Sequence, residues 1–395
     1  MKVIIKTMEG LEPILKEELK SLGILDAEIL RRAVECEVNT SQLYKCNYLL
    51  RTALRVLVPI DQFQCNNEDE LYQAIRTIDW SKYITEKDTF AIDSVCSGEL
   101  FTNSMYVTYK CKDAIVDQLS EEKNYRPNVD PRNPRIRINV HIRDNEVNVA
   151  LDSSGQSLHM RNYKLRHSKA PLNEVLAAGI IFATGWRGEQ DFQDPMCGSG
   201  TFITEALMIA SNIPAGKYIE RFGFQNWRDF QPEIWESVKA SADAQITHPK
   251  VNIIGSDISR FAIRDAKKNI QKLPFKERIK LFERDFFKTH GSPNRCLVIN
   301  PPYDLRVSID DIEAFYQQMG DALKQYWQGS EAWIFTGNLD ALKKIGLRPS
   351  KKMTLFNGGI EAKLCKFELY GGSKKTKYQN NPDKPPRRLR PRKPR

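Results

Sequence analysis

Two short segments carry residue types and spacing able to do chemistry. The first, Asp194-Pro195-Met196-Cys197-Gly198-Ser199-Gly200, runs into an apolar stretch from Thr201 that reads as a helix. Gly198 and Gly200 let the backbone approach a ligand closely, and the free amides of the helix start suit a ligand carboxylate. Asp194, at the end of a short strand, could bind a ligand amine. The second segment, Asn300-Pro301-Pro302-Tyr303, follows the apolar run Cys296–Ile299. Its prolines fix the backbone and remove two amide donors, so the turn presents acceptors. The Asn300 side-chain oxygen and the Pro301 carbonyl can take both hydrogens of a planar amine and hold its lone pair towards an electrophile. Positioning supplies most of such catalysis, so no strong general base is required. Tyr303 can stack on the target ring.

Further acids fall where a nucleoside-bearing ligand would need them. Gly255-Ser256-Asp257 ends a second strand, and Asp257, with Ile258 beside it, can accept hydrogen bonds from ribose hydroxyls. The interval from Asp194 is longer than the usual spacing of about 20 in a dinucleotide fold. An insertion must therefore occupy residues 215–249. A third strand ends at Asp285-Phe286, where a carboxylate and an aromatic ring could hold an adenine.

These residues need elements to position them. Lys2–Lys6 reads as a strand, 11–22 as a helix ended by Gly23, and 33–38 and 54–59 as strands, a small α/β module. A second module has a helix over 70–78, strands over 89–94 and 105–109, and a helix over 112–119. Two more strands, 135–142 and 146–153, flank the turn Arg143-Asp144-Asn145. From about residue 169, helices alternate with short apolar strands, the pattern of a parallel sheet with crossover helices. Leu172, Val175, Leu176, Gly179 and Ile180 form the first helical stripe. Strands follow at 191–194, 251–257, 279–284, 296–300 and 332–336. Residues 353–356 and 362–369 flank Asn357-Gly358-Gly359, a hairpin signal.

Composition bounds the answer. The chain has 395 residues, enough for two or three domains, and an apolar content of 41% that can build packed cores. No run of about 18 apolar residues occurs, so no transmembrane helix is expected, and the charged start lacks a signal peptide's apolar stretch. A cytoplasmic protein is expected. The eight cysteines form no Cys-x-x-Cys pair and the five histidines do not cluster, so neither a disulfide framework nor a metal site is expected. The formal charge of +10 is uneven: residues 373–395 hold ten basic residues against Asp383 alone, which leaves 1–372 nearly neutral. That tail cannot bury enough apolar surface to fold, but it can contact phosphates.

The two motifs, in this order, resemble class I Rossmann-like methyltransferases with an Asn-Pro-Pro-Tyr motif. Such enzymes act on exocyclic amines of adenine or guanine, or on a glutamine amide in release factors. Residues 1–155 look like the ferredoxin-like module and THUMP domain of RNA-modifying enzymes. The stretches Lys112-Asp113-Ala114-Ile115-Val116-Asp117, Arg126-Pro127, Asp152-Ser153-Ser154-Gly155, Leu158-His159 and Arg161-Asn162-Tyr163 resemble the bacterial 23S rRNA guanine-N2 methyltransferase L family. Ala170-Pro171-Leu172-Asn173-Glu174, Ala177-Ala178 and Asn357-Gly358-Gly359-Ile360-Glu361 do so as well. Where the family commonly has Arg-Gly-Tyr, this chain has Asn162.

The resemblance implies an α/β protein of four parts. They are a ferredoxin-like module over 1–60, a THUMP domain over 61–160, a Rossmann-like class I methyltransferase domain over 165–372, and a disordered basic C-terminal tail over 373–395. It implies S-adenosyl-L-methionine as cofactor, held by Ala170, Pro171, Leu172, Asp194, Met196, Cys197, Gly198, Ser199, Gly200, Thr201, Asp257, Ile258, Asp285, Phe286 and Asn300. Asn300, Pro301, Pro302 and Tyr303 would carry catalysis, and structured RNA, 23S rRNA first, would be the partner. Some family members carry a second methyltransferase domain; one methylation is expected of this chain. Guanine N2 or adenine N6 of transfer RNA, a protein glutamine, and a non-catalytic RNA-binding or assembly role are the alternatives.

Overall fold

The alternation of the first residues sets the first layer. In the computed structural model, which describes residues 1–164, 172–302 and 311–370, β1 (Lys2–Lys6) buries Val3 and Ile5 and turns Lys2, Ile4 and Lys6 to the other face. α1 (Glu12–Ser21) buries Leu15 and Leu19, and β2 (Ala27–Leu30) with β3 (Ala33–Glu37) forms a hairpin beside β1. α2 (Thr40–Leu49) begins at a reciprocal cap, the Asn39 side chain accepting the Gln42 N–H and the Gln42 side chain accepting the Asn39 N–H. No helical period marks α2 in the sequence, because Leu43, Tyr44, Cys46, Asn47 and Tyr48 are buried around several of its sides.

β4 (Arg55–Gln64) is longer than expected and runs through residue 60, where two modules were expected to meet. α3 (Glu68–Thr77), β5 (Thr89–Ser97), α4 (Ser104–Lys123), β6 (Asn128–Val129), β7 (Ile136–Arg143) and β8 (Glu146–Asp152) follow. The start of β4 pairs with β1, Lys6 opposite Arg55, and its remainder pairs with β8 across a bulge between Pro59 and Asp61. The result is one eight-stranded sheet in the order β2-β3-β1-β4-β8-β7-β5-β6. Residues 105–109, expected as a strand, are helical. Their β-branched and aromatic content is overridden by Asn103, which accepts the N–H groups of Met105 and Tyr106, and by the buried stripe Val107, Cys111, Ala114, Ile115 and Leu119.

The second half alternates as the sequence predicts. α5 (Glu174–Thr184), β9 (Phe192–Asp194), α6 (Thr201–Ala210), α7 (Pro232–Asp243), β10 (Ile253–Asp257), α8 (Arg260–Asn269), β11 (Ile279–Glu283), β12 (Cys296–Ile299), α9 (Ile312–Tyr326), β13 (Glu331–Thr336), α10 (Leu339–Lys343), β14 (Lys351–Asn357) and β15 (Ile360–Glu368) form a seven-stranded sheet with covering helices. Its order is β11-β10-β9-β12-β13-β15-β14, parallel from β11 to β13, with β15 antiparallel to both its neighbours.

The insertion between α6 and β10 docks the N-terminal sheet. Tyr44 stacks on Phe224 with centroids 4.3 Å apart, and Tyr48 meets Trp235 edge-on at 5.4 Å. Tyr48, Phe222 and Phe224 are buried with Trp235. At about 1.5–3 kcal/mol per buried large apolar side chain, this cluster outweighs the net worth of single hydrogen bonds at the seam, such as Tyr48 Oη to Asp243 at 2.7 Å. Arg51 spans the same seam and donates to the carbonyls of Met208 and Ile213 at 3.1 and 2.6 Å, at the end of α6. Arg161 donates to the Leu158 and Arg51 carbonyls and lies 3.7 Å from Glu205 of α6, while Tyr163 donates to Glu205 at 3.0 Å. Between them Asn162 takes φ +61°, the left-handed conformation that glycine would adopt freely and asparagine tolerates.

Candidate active site

Strand order decides where a ligand can sit. From β9 the chain proceeds outward through β10 to β11, then returns to the other side of β9 for β12 and β13. The carboxyl ends of β10, β9 and β12 therefore border a topological switch point, where connections diverge and leave a crevice. Asp194 ends β9, Asp257 ends β10 and Asn300 follows β12, so three of the sequence-chosen residues meet there.

The glycine loop is tied on both sides. The Cys197 N–H reaches the Ser256 carbonyl at 2.9 Å, Gly198 N–H reaches Asp257 Oδ2 at 2.9 Å, and Gly200 N–H reaches the Cys197 carbonyl at 2.8 Å. From α8, Asn269 Nδ2 donates to the Ser199 carbonyl at 3.1 Å. Gly200 caps α6 at φ +88°, and Ser199 and Thr201 are buried. Gly198 has φ +52°, and a Cβ built there would meet no heavy atom within 4 Å. The loop is thus braced from below and open above.

Its charge is one-sided. Asp194 is 1% exposed, and burial, with the Asp257 charge added, holds its carboxyl well above the usual range although Met196 N–H donates to it at 3.1 Å. Asp257 is already engaged by Gly198 and by Ser259 N–H at 2.8 Å. Neither acid forms an ion pair among the described residues. Two carboxylates facing one crevice without a cation make a place for a positively charged ligand. Burial pushes the Cys197 thiol well up as well, so it lines the loop as an inert neutral group.

On the other side, Asn300 Oδ1 is buried and has no hydrogen-bond partner among the described residues. A buried carbonyl oxygen left this way loses its hydration without recompense, unless a ligand N–H completes it. Pro301 is buried and Pro302 half-buried. Asp285, half-buried, accepts the Phe287 N–H at 3.0 Å and lies 3.6 Å from Lys288. The Phe286 ring is placed otherwise than expected: it stacks on Trp327 with centroids 5.6 Å apart and belongs to the core around Leu297 and Ile299. Asp285 is then the polar side chain offered at that strand end. Ile258 is 71% exposed beside Asp257, Met196 is half-buried, and Leu172 is buried. Tyr303, Ala170, Pro171 and the basic tail lie outside the described residues.

Sequence reasoning passed over Asn269, Arg51 and Glu205. Asn269 left a signal, for it falls on the apolar stripe Ile263, Ala266 and Ile270 of α8, a polar residue on a buried face. Arg51 left none, since the Met208 and Ile213 carbonyls it reaches lie 157 and 162 positions on, and Glu205 lies 42 positions beyond Tyr163.

Known families match along the whole described body. An RmKL-like methyltransferase domain profile matches residues 161–366, a THUMP profile 65–152, and an RlmL ferredoxin-like profile 2–57. A Synechocystis protein carried under an RNA methyltransferase name is 36% identical over 364 residues, covering 91% of this chain and 95% of that one. Ribosomal RNA large subunit methyltransferase K/L of Syntrophotalea carbinolica is 34% identical and is matched over 91% of this chain, but over only 52% of its own length. The chain spans about half the length of the K/L relatives it matches. Among solved structures, SMU.472 complexed with SAH superposes with TM-score 0.83 at 27% identity, covering 94% of this chain and 98% of that one. A methylase-like protein of Clostridium difficile 630 gives 0.84 at 28%, covering 94% and 99%.

Proposed function

Since the chain belongs to the RMKL-like methyltransferase family, we propose that it transfers a methyl group from S-adenosyl-L-methionine to the exocyclic N2 of a guanine in 23S rRNA. The observation that carries methyl transfer to an amine is the buried Asn300 Oδ1 at the crevice of the second sheet, unpartnered among the described residues; guanine and 23S rRNA rest on the family resemblance. The residues present fit the cofactor: among the described residues the Asp194 and Asp257 carboxylates have no cation beside them, and the space above Gly198 admits a ligand against the loop.

When bound, S-adenosylmethionine supplies an electrophilic methyl group on a sulfonium. Asp194 takes the amine of the amino-acid end and the first amides of α6 its carboxylate, Asp257 takes the ribose hydroxyls, and Asp285 takes the adenine amine. Asn300 Oδ1 and the Pro301 carbonyl accept the two hydrogens of the target amine and orient its lone pair. Neither needs to remove a proton before attack, because the amine becomes acidic only as the new bond forms. The target base must be unpaired or turned out of its helix to reach this depth, and Tyr303 is proposed to stack on it. The N-terminal sheet, with its THUMP match, would grip folded RNA by shape and phosphates, and the basic tail would add salt-sensitive contacts.

The test is methyl transfer by purified protein to an unmodified transcript of large-subunit rRNA, followed by nucleoside mass spectrometry. N2-methylguanosine at one site supports the reading. Labelling of tRNA or DNA with none on rRNA would sink it, and N6-methyladenosine would reassign the base.

A further inference from the structure

The body of the protein is nearly neutral, yet one stretch is not. Residues 258–288 hold ten Lys and Arg against four Asp and Glu, while residues 1–372 hold fifty against forty-nine. In the fold this stretch is α8, the turn after it and β11, and β11 is the outermost strand of the seven-stranded sheet. The excess charge is therefore gathered on one edge.

Arg260, Arg264, Lys267, Lys272, Lys280 and Arg284 are all exposed there. Arg264 reaches only its neighbour Asp265, at 3.7 Å, and the other five make no ion pair among the described residues. Helix design accounts only for Lys267, which falls in the last turn of α8 where a cation suits the dipole. Arg260 sits in the first turn of α8, where a cation opposes the helix dipole, and Arg260 and Arg264 repel each other at i,i+4. Aromatic rings lie among them. Phe261 is 67% exposed with the Arg264 guanidinium 5.2 Å from its centroid, and Arg284 lies 4.1 Å over Phe282. Five cations without an acid partner among the described residues, interleaved with an open ring face, match a nucleic-acid strand, which offers phosphates and a base to stack.

Position adds to the argument. Asp257 ends β10, Ser259 caps α8, and Arg260 and Phe261 follow at once. The edge begins at the rim of the crevice, on the side of β9 away from Asn300.

We propose that the α8–β11 edge is an RNA-binding surface, its lysines and arginines holding backbone phosphates and Phe261 stacking an unpaired base next to the catalytic crevice. This rests on RNA being the substrate. It gives the second half of the chain a grip of its own, separate from the eight-stranded sheet.

The test compares two variants with the wild type on an unmodified transcript of large-subunit rRNA. One is the set Lys267→Gln, Lys272→Gln, Lys280→Gln and Arg284→Gln; the other is Phe261→Ala. Binding is measured against salt concentration, alongside kcat, KM for RNA, and S-adenosylhomocysteine binding by calorimetry. The glutamine set should lower the log–log salt slope by about three and weaken binding at least about tenfold at low salt. Phe261→Ala should weaken binding about five- to a hundredfold with the slope unchanged. Lys267→Arg, Lys272→Arg and Lys280→Arg together should keep wild-type affinity. RNA affinity within twofold of wild type in both loss-of-function variants, with the slope of the glutamine set lowered by less than about one, would overturn the proposal, as would equal losses in the arginine set. Because binding is read apart from methyl transfer, a wild type that binds this RNA without methylating it would count against the reaction and leave the edge to be judged on the variants.

Discussion

The Asp257 carboxylate accepts the Gly198 N–H at 2.9 Å, so the acid that ends β10 also shapes the glycine loop that follows β9. Asp257→Ala removes a ligand contact and a loop tie together. Each buried hydrogen bond left unmade costs about 1–3 kcal/mol, so S-adenosylhomocysteine binding should weaken at least about tenfold by calorimetry. Asp257→Asn, which keeps an acceptor for Gly198, should lose less.

Asn300→Ala should separate catalysis from cofactor binding. The lost acceptor serves the amine in flight, and removing one such preorganised group costs about 10²–10³ in kcat. Cofactor affinity and the urea midpoint should stay near wild type. A variant that binds cofactor poorly would show that Asn300 serves the cofactor first.

The two loop glycines should fail differently. At Gly200 a new Cβ would meet Ile203 Cδ1 at 3.1 Å and Ala266 Cβ at 3.2 Å, with φ at +88°. Gly200→Ala should destabilise the fold itself by at least about 1 kcal/mol. Gly198→Ala meets open space, so its stability loss should be confined to about 1–2 kcal/mol of left-handed backbone strain. Its cofactor affinity should fall far more than its urea midpoint suggests.

Cofactor affinity should depend on pH with a fixed sign. The Asp194 carboxyl is held above its ordinary value by burial and by Asp257, and a cationic ligand binds the ionised form. Binding therefore releases a proton, and affinity weakens as pH falls through the raised value, by at most about tenfold per pH unit. Calorimetry in buffers of different ionisation enthalpy would detect the proton; Asp194→Asn should abolish the release and most of the affinity.

Glu205 is fully buried beside Arg161 and Tyr163. Glu205→Ala leaves a buried guanidinium without its acid, a change that costs about 3–5 kcal/mol. Urea unfolding should report a loss of that size, with Glu205→Gln losing less because it still accepts from Tyr163.

The site was more legible than the contacts that hold it. Asp194, Gly198, Gly200, Asp257 and Asn300 stand at strand ends, so a local pattern of apolar run, acid and glycine reaches them. The Phe286 ring was misread because a strand-end aromatic looks alike whether it faces a ligand or the core; Trp327, its partner, lies 41 residues on. The helix over 105–109 was hidden by residues that favour strands, and α2 by burial on several sides. The insertion over 215–249 reads as a spacer until Tyr44 is seen stacked and Tyr48 edge-on against it. Long-range packing of this kind leaves no period in either segment.

β4 has a consequence for how the protein can be divided. Its first residues hydrogen-bond to β1 and its last to β8, so a cut near residue 60 would split a strand at mid-length and expose two raw edges. The first 152 residues are thus one plate, and because its core is shared with Phe222, Phe224 and Trp235, the insertion must travel with it in any graft or exchange. Arg51, fixed in that plate, grips the far end of the helix that starts at Gly200. A twist imposed on the plate by a bound partner would be geared, through a single ten-residue helix, to the mouth of the crevice.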